Sequence, residues 1–212
     1  VAAEFINGRP NDNIGITLFA GETFTQCPLT VDHAVLLDMI HNIKCGLITD
    51  GTAVGMGIAN AVTRLKDSKA KSKVIILLTD GTNNKGDISP MTAAEIAKSF
   101  GIRVYTIGVG TNGMAPYPYP VGNTVQYVSM PVEIDEKTLT EIAGTTDGNY
   151  FRATSNSKLK EVYEEIDKLE KTKLNVKEYS KRDEEYHWFA LAAFLCVLLE
   201  VLLRNSVLKK IP

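Results

Sequence analysis

The stretch Lys73-Val74-Ile75-Ile76-Leu77-Leu78-Thr79-Asp80-Gly81 decides the fold class of this 212-residue chain. It carries five apolar residues in a row and then ends in polar turn residues. An uninterrupted apolar run is typical of a strand covered on both faces, because a strand with one face in water alternates apolar and polar residues. We therefore predict a buried strand here, followed by a turn at the surface.

Helical and extended patterns alternate along the rest of the chain. We predict further strands over 14–19, 103–109 and 149–153, a short edge strand over 22–29, and helices over 31–43, 53–65, 91–100, 135–143 and 157–174. Thr30 is the expected N-cap of the helix over 31–43, and Ser89-Pro90 are the expected N-cap and first helical position of the helix over 91–100. This alternation predicts an α/β fold with a doubly wound, mostly parallel sheet and helices on both faces. Ligand sites of such sheets lie beyond the carboxyl ends of the strands, where the polar turns 79–86 and 108–113 follow.

Composition limits the classes of function. Hydrophobic residues make up 44% of the chain and charged residues 23%, which indicates a globular protein. A formal net charge of -2 gives no basic surface for nucleic acid, so we expect no nucleic-acid partner. The cysteines are three, an odd number. We expect small buried thiols, while a bridge between Cys27 and Cys45 stays open from sequence alone.

Residues 112–134 interrupt the α/β pattern. Pro116, Pro118 and Pro120 alternate there with Tyr117 and Tyr119. The segment is too long for a routine connection, so we interpret it as an insertion that forms a hairpin or a surface loop. Tyrosine and proline are contact residues of low conformational entropy, and we expect the insertion to contribute to partner contact.

Residues 188–203 are apolar at every position except Glu200. With the interfacial side chains that flank them, they predict a transmembrane helix over 188–204, preceded by a juxtamembrane linker over 175–187 and followed by a short basic tail over 205–212. The alternative is a buried core helix, which normally shows a polar face that this segment lacks. Lysines and arginines occur on both sides, so charge does not decide the orientation in the bilayer.

Two polar motifs are expected at the same end of the sheet. Thr49-Asp50-Gly51-Thr52-Ala53-Val54-Gly55 stands at a loop-to-helix junction, and Leu78-Thr79-Asp80-Gly81-Thr82-Asn83-Asn84 follows the strongest strand. Carboxylate and hydroxyl oxygens are the ligands that a hard cation such as Mg²⁺ prefers. Taken singly, Asp80 is an ordinary turn residue and Thr52 an ordinary helix N-cap, and only their combination indicates a metal site.

Together these motifs resemble a von Willebrand factor A domain, and the match extends to about residue 174. It rests on Thr79-Asp80-Gly81 after the apolar strand, on Asp50-Gly51-Thr52-x-x-Gly55 upstream, and on Tyr105-Thr106-Ile107-Gly108-Val109-Gly110 downstream. More narrowly, residues 25–30, 64–69 and 149–154 and the apolar helix resemble the BatA/BatB proteins of bacterial aerotolerance operons, with BatA as the best fit.

The resemblance implies a metal-ion-dependent adhesion site with five protein ligands. Thr52 and Asp80 stand at two of those positions, and the other three belong to an Asp-x-Ser-x-Ser motif that this sequence lacks. Because residues 1–6 read as the end of a helix, we expect the chain to be a fragment that lacks the first strand of the domain and its motif. In the sheet order of the family that strand lies between the strands at 14–19 and 74–78.

The resemblance also implies a function. The domain would bind Mg²⁺, or another divalent cation, and through it an acidic side chain of a protein partner, without enzymatic turnover. It further implies a lipid bilayer, a periplasmic domain anchored in a bacterial inner membrane, and company with other Bat proteins and a MoxR-type ATPase. The alternative is a structural membrane scaffold in which the metal site is not used.

A dinucleotide-binding enzyme is the competing interpretation. Gly108-x-Gly110-x-x-Gly113 is a literal Gly-x-Gly-x-x-Gly motif directly after a strand. Its mechanism needs a helix N-terminus immediately afterwards to hold the pyrophosphate. The prolines that follow Gly113 disfavour such a helix, so the adhesion module is the preferred interpretation.

Overall fold

A computed structural model describes residues 1–44, 46, 48–110, 113–121, 124–132, 134–180 and 186–206. The chain divides into two compact units, Val1–Glu170 and Lys171–Pro212. The elements in chain order are α1 (Ala2–Asn7), β1 (Ile14–Phe19), β2 (Thr23–Thr30), α2 (His33–His41), α3 (Val54–Leu65), β3 (Lys73–Thr79), α4 (Pro90–Ser99), β4 (Ile102–Val109), β5 (Gly113–Val121), β6 (Thr124–Val132), α5 (Glu136–Thr145), β7 (Tyr150–Ala153), α6 (Asn156–Ser180) and α7 (Tyr186–Ser206).

The apolar run at 73–79 forms β3, the first strand of a parallel sheet with the order β3-β4-β7. Its register pairs Ile75 with Val104 and Thr79 with Gly108, so the strands end at one edge. Core residues cover both faces of this sheet. Ile58, Ile75, Leu77, Ala93 and Ile142 belong to one apolar cluster, and a second contains Tyr105, Ile107, Ala153, Val162 and Ile166. The predicted parallel sheet with helices on both faces is confirmed.

The strands β1 and β2 form a separate antiparallel pair. Within the described part of the chain, β1 pairs only with β2 and β3 only with β4, so no strand joins the two sheets. Helix α3 contacts both β1 and β3, and it therefore spans the interval between the sheets. Among the described strands, β1 and β3 therefore have no shared neighbour.

Helix limits agree with prediction to within two residues, except at the end of α6, and the N-cap of α2 also differs. The N-cap of α2 is Asp32, not Thr30, because Asp32 Oδ1 accepts a hydrogen bond from the Val35 N–H at 3.2 Å. Thr30 Oγ1 instead accepts from the Asp32 N–H and closes the turn before the helix. Helix α6 continues to Ser180 and includes residues 175–180 of the predicted linker, while 181–185 lie outside the described residues.

The insertion forms an antiparallel hairpin of β5 and β6, as predicted. Gly113 is the first residue of β5, so the Gly-x-Gly-x-x-Gly motif leads into a strand. No helix N-terminus follows the motif to bind a pyrophosphate, because Gly113 begins a strand. The dinucleotide interpretation is therefore wrong.

Helix α7 exposes every large apolar side chain that the structure describes between Leu191 and Leu203. In the described residues we find no helix with both the length and the apolar character needed to cross a bilayer. The predicted transmembrane helix over 188–204 is therefore not supported. Cys27 is a buried free thiol as expected, whereas Cys196 is free but exposed, and Cys45 lies outside the described residues.

Candidate metal centre

Two loops meet beyond the carboxyl end of β3, and asparagine side chains join them. Asn84 Oδ1 accepts a hydrogen bond from the Thr52 N–H at 2.9 Å, and the Asn84 N–H donates to the Thr52 carbonyl at 3.0 Å. Asn83 Oδ1 accepts from the Val54 N–H, also at 2.9 Å, at the first residue of α3. The loop before α3 is thereby fixed to the loop after β3.

This junction brings together the two predicted ligands. A Cβ atom built on Gly81 would lie 3.3 Å from Thr52 Oγ1, so the Thr52 hydroxyl faces the residue next to Asp80. Asp80 is exposed and Thr52 is partly exposed. The structure thus places the Thr52 hydroxyl beside the backbone that carries Asp80, at the edge of the sheet where parallel α/β folds bind ligands.

The turn between β1 and β2 also contacts the loop that carries Thr52. The Gly21 N–H donates to the Thr49 carbonyl at 2.7 Å, and the Ala53 N–H donates to the Ala20 carbonyl at 2.6 Å. Gly51 between them has φ +140°, a conformation that side chains disfavour, and a Cβ there would lie 2.6 Å from Lys85 Cγ. The loop that carries Thr52 is therefore packed tightly and needs glycine at position 51.

The donor set suits a hard cation. Among the described residues, neither the Asp80 carboxylate nor the Thr52 hydroxyl makes a hydrogen bond to protein, so both oxygens are available. Carboxylate and hydroxyl oxygens fit Mg²⁺, which also keeps several water ligands. The described residues contain no group of three or more His, Cys, Asp or Glu side chains that could hold a metal ion. His33 and His41 bond to backbone carbonyls instead.

Asn83 and Asn84 belong to the polar motif 78–84, from which the sequence predicted only Asp80 as a metal ligand. Their amides supply no direct ligand here, and they act by holding the backbone of Thr52 and Val54. Their position in the loop after the Thr79-Asp80-Gly81 turn was the signal in the sequence for this supporting role. Asparagine side chains readily accept hydrogen bonds from nearby backbone in turns.

A buried polar cluster occupies the opposite end of the sheet. The Glu170 carboxylate, on α6, accepts hydrogen bonds from Tyr105 Oη at 2.6 Å, from Ser72 Oγ at 2.9 Å and from the Arg103 guanidinium. Burial acts to raise the pKa of Glu170, but the bonds from Tyr105, Arg103 and Ser72 outweigh it and lower that pKa. Burial, followed by the neighbouring Glu170, raises the pKa of Tyr105. A pattern-based analysis treats Glu170 as a surface residue of a charged helix and misses this cluster.

The profile of the von Willebrand factor type A domain matches residues 1–165. Among curated proteins, an uncharacterized protein of Borreliella burgdorferi is 26% identical over 208 residues, which cover 98% of this chain and 61% of that protein. The chain therefore spans about three-fifths of the length of this relative.

Solved structures agree with the profile. BatB from Bacteroides thetaiotaomicron is 32% identical with a TM-score of 0.69, covering 80% of this chain and 85% of that one. An aerotolerance-related membrane protein from Bacteroides fragilis is 29% identical with a TM-score of 0.67, covering 78% and 82%. Proximal thread matrix protein 1 from the mussel byssus, solved with a zinc-occupied MIDAS motif, is 25% identical with a TM-score of 0.59, covering 79% and 38%. The chain belongs to the von Willebrand factor type A domain family.

Proposed function

We propose that this chain is a non-enzymatic adhesion module that binds a protein partner through a divalent cation, Mg²⁺ by preference, held by Thr52 and Asp80. The observation that carries the proposal is the position of the Thr52 hydroxyl beside Gly81, next to the exposed carboxylate of Asp80. The zinc-occupied MIDAS motif described for the mussel protein supports a metal at the corresponding site of this fold.

The residues around the proposed cation would have different roles. Asp80 supplies negative charge and a carboxylate oxygen, and Thr52 supplies a neutral hydroxyl oxygen. Asn83 and Asn84 hold the Thr52 loop so that little rearrangement is needed when a cation binds. The cation, once bound, would offer an open coordination position to an acidic side chain of the partner.

Paramagnetic relaxation tests the metal site even where affinity is low. Mn²⁺ substituted for Mg²⁺ should broaden the amide signals of Thr52, Asp80 and Gly81, and excess Mg²⁺ should reverse the broadening. Asp80→Asn and Thr52→Val should each reduce it strongly. Asp67→Asn is the matched control, because Asp67 is an exposed acid beyond the other end of α3, roughly 18 Å away by helix rise. Broadening that persists in Asp80→Asn would refute the assignment.

Partner binding through the cation needs a second measurement. A peptide containing glutamate should bind the full chain in Mg²⁺ but not in EDTA, and the same peptide with glutamine should bind in neither. Peptide binding that is equal in Mg²⁺ and in EDTA would favour the alternative of a structural scaffold with an unused metal site. We propose other Bat proteins and a MoxR-type ATPase as physiological partners, on the similarity to BatB.

We also propose that the chain associates with the bacterial inner membrane through α7, with the domain in the periplasm. The exposed apolar side chains from Leu191 to Leu203 support this, as does the membrane protein from Bacteroides fragilis. The full chain should float with phospholipid vesicles, and a double substitution Leu195→Asp with Leu199→Asp should abolish flotation. Flotation that survives the double substitution would exclude α7 as the lipid contact.

A further inference from the structure

The two edges of the β5–β6 hairpin differ in their backbone chemistry. Prolines occupy the alternate positions 116, 118 and 120 of β5, and proline has no N–H group. Successive N–H groups of a strand point to opposite edges, so β5 can donate to β6 only from the set that contains Tyr117 and Tyr119. The three prolines therefore lie on the outer edge of β5. That edge offers no donor at three successive outward positions and is a poor template for another strand.

The outer edge of β6 is open. The register pairs Tyr117 with Val128 and Tyr119 with Gln126. The backbone N–H and C=O groups of these pairs therefore form the hydrogen bonds between β5 and β6. The intervening residues Val125, Tyr127 and Ser129 turn their backbone N–H and C=O groups outward, and Pro131, the next outward position, has no N–H. In the described part of the chain no third strand pairs with β6. The Tyr127 side chain, at the centre of β6, is 72% exposed.

The hairpin also lacks the usual protection of an exposed edge. Monomeric proteins commonly place charged side chains on such strands, but residues 113–132 contain none. A two-stranded hairpin is only marginally stable by itself. Among the described elements, no other helix or strand packs extensively against this hairpin. An uncharged, open and weakly supported edge is suited to pairing with a strand that carries no charge of its own.

We propose that the open edge of β6 pairs with β6 of a second copy of this chain, giving a four-stranded antiparallel sheet in the order β5-β6-β6-β5. A twofold axis at Tyr127 would pair this residue with its counterpart, and Val125 with Ser129 of the second copy. The three outward residues of each strand give about six hydrogen bonds. Both outer edges of the new sheet are proline edges, so assembly stops at two copies. This inference is independent of the metal site.

Mass measurement of the full chain in detergent tests the dimer. Light scattering should give a concentration-dependent protein mass that rises from 23.2 kDa to twice that value. Tyr127→Pro removes one outward N–H from the open edge and should weaken dimerisation at least about tenfold. Met114→Pro is the matched control, because it removes an outward N–H from the edge that is already blocked. Dimers that survive Tyr127→Pro, or a monomer at every concentration, would overturn the proposal.

Two further variants keep the test decisive if Tyr127→Pro unfolds the hairpin. Replacing Pro116, Pro118 and Pro120 together by alanine restores donors to the outer edge of β5, and assemblies larger than dimers should form. Assembly that stays at two copies would contradict the role of the prolines. In a chain whose own cysteines are replaced by serine, Tyr127→Cys should give a cross-linked dimer with a short bismaleimide, and Met114→Cys should not. Equal cross-linking at both positions would place the contact elsewhere.

Discussion

One carboxylate lies near each end of the β3-β4-β7 sheet, and the two differ in burial and in hydrogen bonding. At the amino end, Glu170 is 5% exposed and accepts hydrogen bonds from Ser72, Arg103 and Tyr105. At the carboxyl end, Asp80 is exposed, and no hydrogen bond to its side chain occurs among the described residues. The Glu170 carboxylate holds α6 against the sheet through these bonds, whereas the Asp80 carboxylate is available to bind a ligand. The contrast indicates that Glu170 contributes to stability, and it agrees with our proposal that Asp80 binds a cation.

The largest effect on stability is expected at Glu170. Glu170→Gln leaves the partly buried Arg103 guanidinium without its counter-charge. Breaking a fully buried ion pair costs about 3–5 kcal/mol, so we expect a loss of about 2–3 kcal/mol here. Urea unfolding of the full chain in detergent should show this loss, while Mn²⁺ broadening at Thr52 should remain. Glu164→Gln, on the exposed side of the same helix, is the control and should change stability by less than about 0.5 kcal/mol. A loss below about 1 kcal/mol in Glu170→Gln would show that the cluster is not a stabilising one.

Acid should weaken the same end of the sheet. The folded protein lowers the pKa of Glu170, so the native state binds a proton there less readily than the unfolded chain. The stabilisation is therefore complete above the ordinary glutamate pKa of about 4.3 and is lost as pH falls through the lowered folded value. A hydrogen bond from Thr138 also lowers the pKa of Asp135, so the difference between wild type and Glu170→Gln isolates the glutamate. That difference should shrink as pH falls below about 4.3, and a constant difference would contradict the assignment.

The sequence predicts the sheet well because its signals are local. The apolar run at 73–79 and the Ser89-Pro90 helix start depend on neighbouring residues, and Ser89 indeed caps α4 by accepting from the Thr92 N–H. The N-cap of α2 was predicted wrongly because Thr30 and Asp32 are both good capping residues. Only the turn geometry decides between them.

Long-range contacts limit what sequence can predict of the sites. Thr52 and Asp80 were identified through motifs, and their positions agree with a shared edge. The Asn84–Thr52 and Glu170–Tyr105 bonds join residues 32 and 65 positions apart, and no periodicity reports such pairs. The metal itself and the contribution of the hairpin to partner contact stay predictions.

An intermediate effect is expected where the two loops of the metal centre are joined. Asn84→Ala removes the hydrogen bond to the Thr52 N–H, which should cost about 1 kcal/mol of unfolding free energy. Because the Thr52 loop would then sample more positions, Mn²⁺ broadening at Asp80 should weaken as well. Thr82→Ala, an exposed position in the same loop, is the control for stability. If Asn84→Ala changes stability but leaves the broadening intact, the bond stabilises the loop without organising the metal site.

The smallest effect on stability, and the largest on metal binding, is expected at Asp80. The carboxylate is exposed, so Asp80→Asn should change the unfolding free energy by no more than about 0.5 kcal/mol. The same substitution should remove the Mn²⁺ broadening, the reverse of the result expected for Glu170→Gln. The two sites lie at opposite ends of β3, so the stability changes in the double variant should add to within about 0.5 kcal/mol. Unfolding curves of the two single variants and the double variant measure this directly. A marked loss of stability in Asp80→Asn, or clear non-additivity, would mean that the two ends of the sheet do not divide stability and binding between them.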